Sequence, residues 1–468
     1  MVAAFDMSTL RPALREAAVD IARRVKEAGG RAFVVGGAVR DLAAGAGEVK
    51  DVDIEAFGVA PDALERLLGE RYRFDPCGVS FGVLKLHGVD IDVSLPRRES
   101  KSGLGHKGFL VDSDPSLSVK EAASRRDFTV NAMYFDPLAG EVEDPWGGMA
   151  DLERRVLRHV SGKFAEDPLR VLRGMQFAAR FRLEPAPETV AVCRSMTPEG
   201  LPRERLFDEW SKLLLKGAEI SRGLGFLRAT GWVRHYPELA RLIGCRQDPE
   251  WHPEGDVWNH TCLCLDAFAR RRTGDAGEDL VVGLAVLCHD FGKPATTRRD
   301  SRTGRIRSLG HDEAGVEPTK AFLGRLTNEA RLLKEVPPLV QCPMQPFAMW
   351  RSKAGDSAVR RLAARVVRID RLIRVARADD EGRIADAPGG SSGGEDLAWL
   401  SAAAERLRVA AEAPKPILMG RHLMAMGFRP SAEFGRWLDA CYEAQLDGKF
   451  TDLGGAEAYF RKRVLQRG

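Results

Sequence analysis

The stretch Gly36-Gly37-Ala38-Val39-Arg40-Asp41, followed closely by Asp51-Val52-Asp53, constrains this chain more than any other feature. The apolar run Ala32-Phe33-Val34-Val35 before it reads as a buried strand. A glycine pair directly after a strand lets backbone N–H groups approach a phosphate. Arg40 adds a planar cationic fork suited to phosphate oxygens. Asp51 and Asp53 alternate at the head of a second predicted strand, Val52 to Ala56, so both carboxylates fall on one face. Two neighbouring carboxylates repel unless a divalent cation lies between them. A Gly-Gly turn or an Asp-X-Asp alone is ordinary turn chemistry. In this order and this close together, the parts describe a site for a metal-bound nucleoside triphosphate.

A third carboxylate comes from Val89-Asp90-Ile91-Asp92-Val93-Ser94-Leu95, another alternating strand. Asp90 and Asp92 share a face. Asp92 is the favoured third member of the catalytic set, and Asp90 is the alternative.

At 468 residues the chain has room for two to four domains. Hydrophobic content of 44% and charged content of 29% are those of an ordinary globular protein. The net charge of +4 permits a polyanionic partner without demanding one. Arginines do cluster, at Arg154, Arg155 and Arg158 and again at Arg170, Arg173, Arg180 and Arg182. The 8 cysteines include no Cys-X-X-Cys pair, which argues against a zinc ribbon and for buried or free thiols in a reducing compartment. Asp6, Arg11, Arg15, Glu16 and Asp20 are foreign to a signal peptide, and no apolar run approaches a bilayer span. The expectation is a cytoplasmic protein without a membrane partner.

Residues 8–29 read as an amphipathic helix opened by Ser8 or Thr9 and closed by Gly29-Gly30. Residues 31–145 mix strands and helices. Within them Arg97 to Ser118, with its glycine-and-lysine run Lys101 to Gly108, reads as a flexible segment able to close over substrate. From about residue 151 the pattern turns helical. Val336-Pro337-Pro338 to Pro346 reads as a break too proline-rich for helix. Pro388 to Gly394 reads as a flexible linker, after which helices resume.

Glu166-Asp167-Pro168-Leu169-Arg170 has the form of a helix start. Asp167 and Arg170 are three apart and predicted to share a helix face. A carboxylate only accepts hydrogen bonds and a guanidinium only donates them. Cytosine and adenine both present an amino donor beside a ring-nitrogen acceptor, which this pair matches. Guanine and uracil present an N–H where the guanidinium would stand, and a wrong base leaves buried polar groups unpaired. Such a site selects C and A with no nucleic-acid template.

With these residues the chain resembles the class II tRNA nucleotidyltransferases, the CCA-adding enzymes and their bacterial poly(A) polymerase relatives. The resemblance rests on Gly36-Gly37 to Asp41, Asp51-Val52-Asp53, Arg125-Arg126-Asp127-Phe128-Thr129-Val130-Asn131-Ala132-Met133, Asp144-Pro145-Trp146-Gly147-Gly148 to Asp151-Leu152, and Glu166 to Arg170 with Arg180-Phe181. It implies an α+β, mostly α fold: a DNA polymerase β-type nucleotidyltransferase head over 1–150, a helical neck over 151–235, a helical body over 236–385 and a helical tail over 395–468. It implies that Asp51 and Asp53 hold Mg2+. Gly36, Gly37, Arg40, Arg126, Asp127, Asp167, Arg170 and Arg173 would bind nucleotide. The segment Leu201-Pro202-Arg203-Glu204-Arg205 to Glu209 is similar to the neck helix that approaches RNA. The tail, from Lys415-Pro416 through Ala444-Gln445-Leu446-Asp447-Gly448, would touch the tRNA elbow by analogy.

A second constellation lies in the body. His260, His289-Asp290 and Asp379, with His311 nearby, bring together imidazoles and carboxylates, the donors of a metal site. They resemble the HD metal-dependent phosphohydrolase domain found fused to some CCA-adding enzymes, and the resemblance implies a second divalent transition metal. Where such domains often carry a further histidine, this chain has Val340-Gln341-Cys342-Pro343-Met344-Gln345-Pro346.

The expected function is template-independent addition of CCA, or of its terminal A, to the tRNA 3′ end from CTP and ATP. A-only addition, C-only addition and poly(A) polymerase activity are the neighbouring alternatives. The full-length segment Arg97–Ser124 disfavours C-only addition. A metal phosphohydrolase with an RNA-binding head is the alternative of another class.

Overall fold

The computed structural model describes residues 7–45, 49–74, 82–101, 109–383 and 394–465. Cys77, residues 102–108 of the glycine-and-lysine run, and residues 388–393 of the expected linker lie outside the described residues. The chain divides into two compact units, Met1–His235 and Tyr236–Gly468.

The first unit opens with the helix Pro12–Glu27, which buries Leu14, Ala17, Ala18, Ile21, Ala22 and Val25 along one stripe. Proline at its first turn starts it, so the start falls later than Ser8 or Thr9, which belong to a separate short turn, Met7–Thr9. The strands are β1 (Arg31–Val35), β2 (Val52–Phe57), β3 (Val83–Lys85), β4 (Ile91–Ser94), β5 (Arg97–Lys101), β6 (Phe109–Ser113), β7 (Tyr134–Asp136) and β8 (Glu141–Glu143). Six of them form one sheet in the order β3-β4-β2-β1-β7-β8. Its two faces separate by alternation. Val34, Ile54, Val93 and Phe135 enter one core beneath Pro12–Glu27, while Phe33, Val35, Phe57 and Tyr134 enter another.

The segment expected to be flexible contains an antiparallel pair instead, β5 with β6, in register from Arg97↔Ser113 to Lys101↔Phe109. Ser118 then caps the helix Val119–Ala123 in a capping box with Glu121. Beyond the sheet, the helix Leu169–Phe181 packs on Arg203–Lys216 and Ile220–Ala229. Gly174 allows that approach, since a Cβ there would stand 2.6 Å from Phe226 Cζ.

The second unit is helical. Val257–Arg270, Ala276–Cys288, Ala330–Val340 and Ile369–Glu381 pack together. Ala330–Val340 corrects the expected proline break, because Pro337 and Pro338 both lie inside the helix. Interior proline costs about 3 kcal/mol in lost hydrogen bonding and ring clash. Here Leu332, Val336, Leu339 and Val340 are all buried on one side, and that burial opposes the cost. Gly420–Ala425, Glu433–Leu446 and Leu453–Tyr459 close on a separate aromatic core around Phe460. A short hairpin, Arg298–Arg299 with Ile306–Arg307, interrupts the helices unforeseen.

Candidate active site

β2 sends Val52, Ile54 and Ala56 into the core and leaves Asp53, Glu55 and Phe57 on the other face. β4 does the same with Ile91 and Val93 against Asp92 and Ser94. These strands run parallel with Asp53 paired to Asp92, so the two carboxylates stand side by side. Asp51 lies one alternation earlier. All three line a cleft of about 1120 Å³. Asp90 is absent from its walls and instead binds Arg11 at 2.7 Å. Burial raises the Asp53 carboxyl above its usual pKa; Arg126 pulls it back, and Asp92, Asp51 and Glu55 push it up. Gly36 ends β1 beside them at φ +72°, where a Cβ would lie 3.1 Å from Arg126 Nη1 and 3.7 Å from Asp53 Oδ2.

Arg126 is held over this floor by three acceptors. Its Nη2 donates to Glu55 Oε2 at 3.2 Å, its Nε to Tyr134 Oη at 3.3 Å and its Nη1 to the Asn131 carbonyl at 3.4 Å. Glu55 is 1% exposed and also accepts from Arg125 at 3.3 Å and Tyr134 Oη at 2.9 Å. Burial pushes its carboxyl up, but Arg126 and Arg125 outweigh burial and hold it below the usual range. Asp127 accepts Arg173 Nε at 2.7 Å, Asn131 Nδ2 at 2.9 Å and the Phe128 N–H at 2.8 Å. These partners overcome its burial and keep it ionised.

Two expectations are corrected. Arg40 borders the cleft, but its fork is turned inward. Nε and Nη2 donate to Asp41 Oδ1 at 2.9 and 2.7 Å, Nη1 donates to Asn131 Oδ1 at 2.5 Å, and the group stacks 4.1 Å from the Phe181 ring. Asp167 and Arg170 both line the cleft without sharing a helix face. Asp167 is extended and precedes the helix that starts at Leu169, so helical spacing does not apply to it. Asp167 accepts Arg205 Nη2 at 3.0 Å, while Arg170 donates to the Lys163 and Arg125 carbonyls at 2.8 and 2.6 Å. Arg205, Lys212 and Lys216 of the helix Arg203–Lys216 also line the cleft, whereas Glu209 is buried and binds Lys212 at 2.8 Å.

The second unit holds its own buried polar cluster. His260 Nδ1 lies 2.8 Å from Glu254 Oε1, and its Nε2 lies 2.9 Å from Asp379 Oδ1. His289 Nδ1 meets the Val286 carbonyl at 2.7 Å, and His311 Nδ1 meets the Ser308 carbonyl at 2.8 Å. At His289 and His311 the carbonyl acceptor at Nδ1 favours the proton there and turns Nε2 toward Asp290, while His260 turns its Nε2 toward Asp379. Burial raises Asp379, and Arg383 with His260 overcomes it and holds the carboxyl far below the usual range. Ligand atoms of His260, Cys264, His289 and Asp379 lie within 4.8 Å of one another. Asp290 adjoins this group, its Oδ2 2.7 Å from Lys293 Nζ and 3.3 Å from His289 Nε2, and the fourth member of the close set is Cys264.

Residues 32–158 match the poly A polymerase head domain family. The chain is 41% identical over 304 residues to the multifunctional CCA protein of Xanthomonas campestris pv. campestris, covering 63% of this chain and 70% of that one. It is 35% identical over 391 residues to the multifunctional CCA protein of Xylella fastidiosa, covering 80% and 89%. The chain belongs to the multifunctional CCA protein family. The fold of this CCA-family chain also matches the Bacillus stearothermophilus CCA-adding enzyme in complex with CTP (TM-score 0.65, 21% identity, 98% and 99% covered). It matches the Thermotoga maritima CCA-adding enzyme complexed with tRNA as well (TM-score 0.57, 19% identity, 97% and 96% covered). The α+β architecture with a nucleotidyltransferase head and helical body is thereby that of CCA-adding enzymes.

Sequence reading of this CCA-family chain missed Glu55 and Tyr134, and it gave Asn131 and Arg205 no role of their own within the motifs that contain them. Glu55 carried a signal, since it continues the Asp51-Asp53 alternation. Cys264 carried one too: it stands four residues after His260, on the same helix face. Glu254 and His252 precede that helix, and no periodicity marks them.

Proposed function

We propose that this chain adds CCA to tRNA 3′ ends from CTP and ATP without a nucleic-acid template. The observation that carries the reading is the pairing of Asp53 with Asp92, beside Asp51, in a cleft that Asp127, Asp167, Arg170 and Arg173 also line. In the reaction the RNA 3′-oxygen bonds to the α-phosphorus, the bond to the β-phosphate bridge breaks, and pyrophosphate leaves. Asp51, Asp53 and Asp92 form an all-oxygen donor set whose mutual repulsion a hard cation relieves, which suits Mg2+. Mg2+ held by these three carboxylates would supply a lowered pKa for the 3′-hydroxyl and charge stabilisation for the departing pyrophosphate. Gly36 and Gly37 admit the triphosphate close to the backbone. Glu55 and Tyr134 aim Arg126, and Arg173 aims Asp127. Asp167 accepts the amino group of C or A, and Arg170 donates to the neighbouring ring nitrogen, with Arg205 steadying the carboxylate. We assign the head to 1–150, the neck to 151–235, the body to 236–385 and the tail to 395–468.

Incorporation of labelled CTP and ATP into tRNA lacking CCA, tRNA ending in CC, and an unstructured oligonucleotide tests this. Addition of CCA to the first, stopping there, supports the reading. A alone on the second marks an A-adding enzyme, and long tails on the third mark a poly(A) polymerase. No incorporation anywhere overturns it.

A second activity, metal phosphohydrolysis at the HD-like cluster, is supported by the three imidazoles whose Nε2 atoms face Asp290 and Asp379. The 2.9 Å approach of His260 Nε2 to Asp379 Oδ1 requires a proton or a cation between them. His260, His289 and Asp379, with Cys264 or Asp290, would hold a divalent transition metal. Bound metal that persists in Asp51→Ala/Asp53→Ala and disappears in His289→Ala, with phosphate release following it, tests this reading. Among the described residues no helix is long and apolar enough to cross a membrane. No disulfide joins the seven described cysteines, which supports a reducing, cytoplasmic site of action.

A further inference from the structure

The hairpin between Lys293–Thr296 and His311–Ala314 carries five arginines, Arg298, Arg299, Arg302, Arg305 and Arg307, and all are exposed. From Arg298 to Arg307 the only carboxylate is Asp300, so this short stretch has as large a formal positive excess as the whole chain. The strand register sets Arg298 directly opposite Arg307. Like charges directly opposite destabilise a strand pair. Arg305 contacts Glu250, and Arg307 lies 3.9 Å from Asp300. Among the described residues Arg298 and Arg299 donate to backbone oxygens alone, of Thr297 at 2.7 Å and Gly304 at 3.1 Å. Among the described residues no carboxylate lies within ion-pair distance of Arg298, Arg299 or Arg302.

We propose that this hairpin is an arm that grips the phosphodiester backbone of RNA. The proposal rests on the reading of tRNA as substrate and adds to it a binding surface in the second unit. Guanidinium forks match phosphate oxygens in pairs, which ammonium groups do not. Next in sequence to Glu250, which pairs with Arg305, is one exposed indole. Trp251, 38% exposed, follows Glu250, and Asp248 of the same turn accepts the Ile306 N–H at 3.3 Å. Arginines with an exposed indole in the adjoining turn suit a nucleic-acid strand, whose bases stack as its phosphates pair. The hairpin tip, Asp300-Ser301-Arg302-Thr303-Gly304, has no apolar residue to enter a bilayer.

The test uses the full chain with tRNA lacking CCA, titrated at several salt concentrations. Arg298→Gln/Arg299→Gln/Arg302→Gln weakens binding about 10-fold or more near 0.1 M salt and makes the plot of log K against log[salt] shallower by about two. Its melting temperature is unchanged or higher, because cross-strand repulsion falls. A photoreactive residue placed at Thr303 crosslinks to the tRNA. Unchanged affinity and slope without a crosslink overturns the proposal. So does an effect confined to anionic phospholipid vesicles or polyglutamate. If the wild-type chain binds no tRNA, the substrate reading itself falls. If wild type binds tRNA and extends it while the triple variant matches it in affinity, only the hairpin assignment falls.

Discussion

Asp53 and Asp92 come from strands that run parallel and are paired residue to residue, so two carboxylates 39 positions apart in sequence stand together on one face. That pairing separates Asp92 from Asp90. Asp92→Asn is expected to lower kcat for CTP incorporation by about 100-fold or more, as loss of a group stabilising transition-state charge does. Asp90→Asn breaks only an exposed pair with Arg11 and leaves incorporation within about twofold. Single-turnover incorporation with both variants decides between them, and the opposite ranking would remove Asp92 from the site.

Glu55 gathers Arg125, Arg126 and Tyr134 beneath the cleft. Replacing it with Gln leaves two half-buried guanidinium groups short of their counter-charge, a loss of about 2 kcal/mol. Tyr134→Phe removes two hydrogen bonds, the one it donates to Glu55 and the one it accepts from Arg126, about 2 kcal/mol. Urea denaturation of both variants measures these losses. A Glu55→Gln variant as stable as wild type would show that the arginines are satisfied without it.

Base choice depends on Asp167. Asp167→Ala is expected to reduce discrimination of CTP against UTP by about 100-fold, because the selective acceptor is gone. Loss of kcat/KM for CTP and UTP in equal proportion would instead show that Asp167 only supports the helix start. The readout is the ratio of the two kcat/KM values on tRNA lacking CCA.

Glu278 links two helices of the second unit, accepting Arg371 Nε and Nη2 at 2.6 and 2.7 Å. Hydrogen bonding by Arg371 pulls its pKa down to about 2, with Arg368 assisting against burial. The folded value lies below the unfolded one, so its contribution is whole above about pH 4.5 and fades as pH falls toward 2. The ceiling on that contribution is about 3 kcal/mol. Thermal melts of wild type between pH 6 and pH 3 should fall more steeply than those of Glu278→Gln. Parallel curves would assign the acid loss to other carboxylates.

The sequence by itself determined what depends on neighbours along the chain. Period-two alternation placed Asp51 and Asp53 on one face, and glycines after an apolar strand marked the turn that faces them. The His260, His289 and Asp379 set was visible because rare donor residues recur at helix ends and in helices. Tertiary structure decided what depends on partners distant in sequence. Arg40 looked ready for phosphate, yet Asn131 takes its Nη1. Asp167 and Arg170 looked like neighbours on one helix face, yet Asp167 lies outside the helix and accepts Arg205. Pro337 and Pro338 looked like a break, yet a buried apolar stripe holds the helix through them. Backbone periodicity is a local property. A guanidinium pairs with whichever carboxylate or carbonyl the fold brings within reach, and only the folded chain brings those groups together.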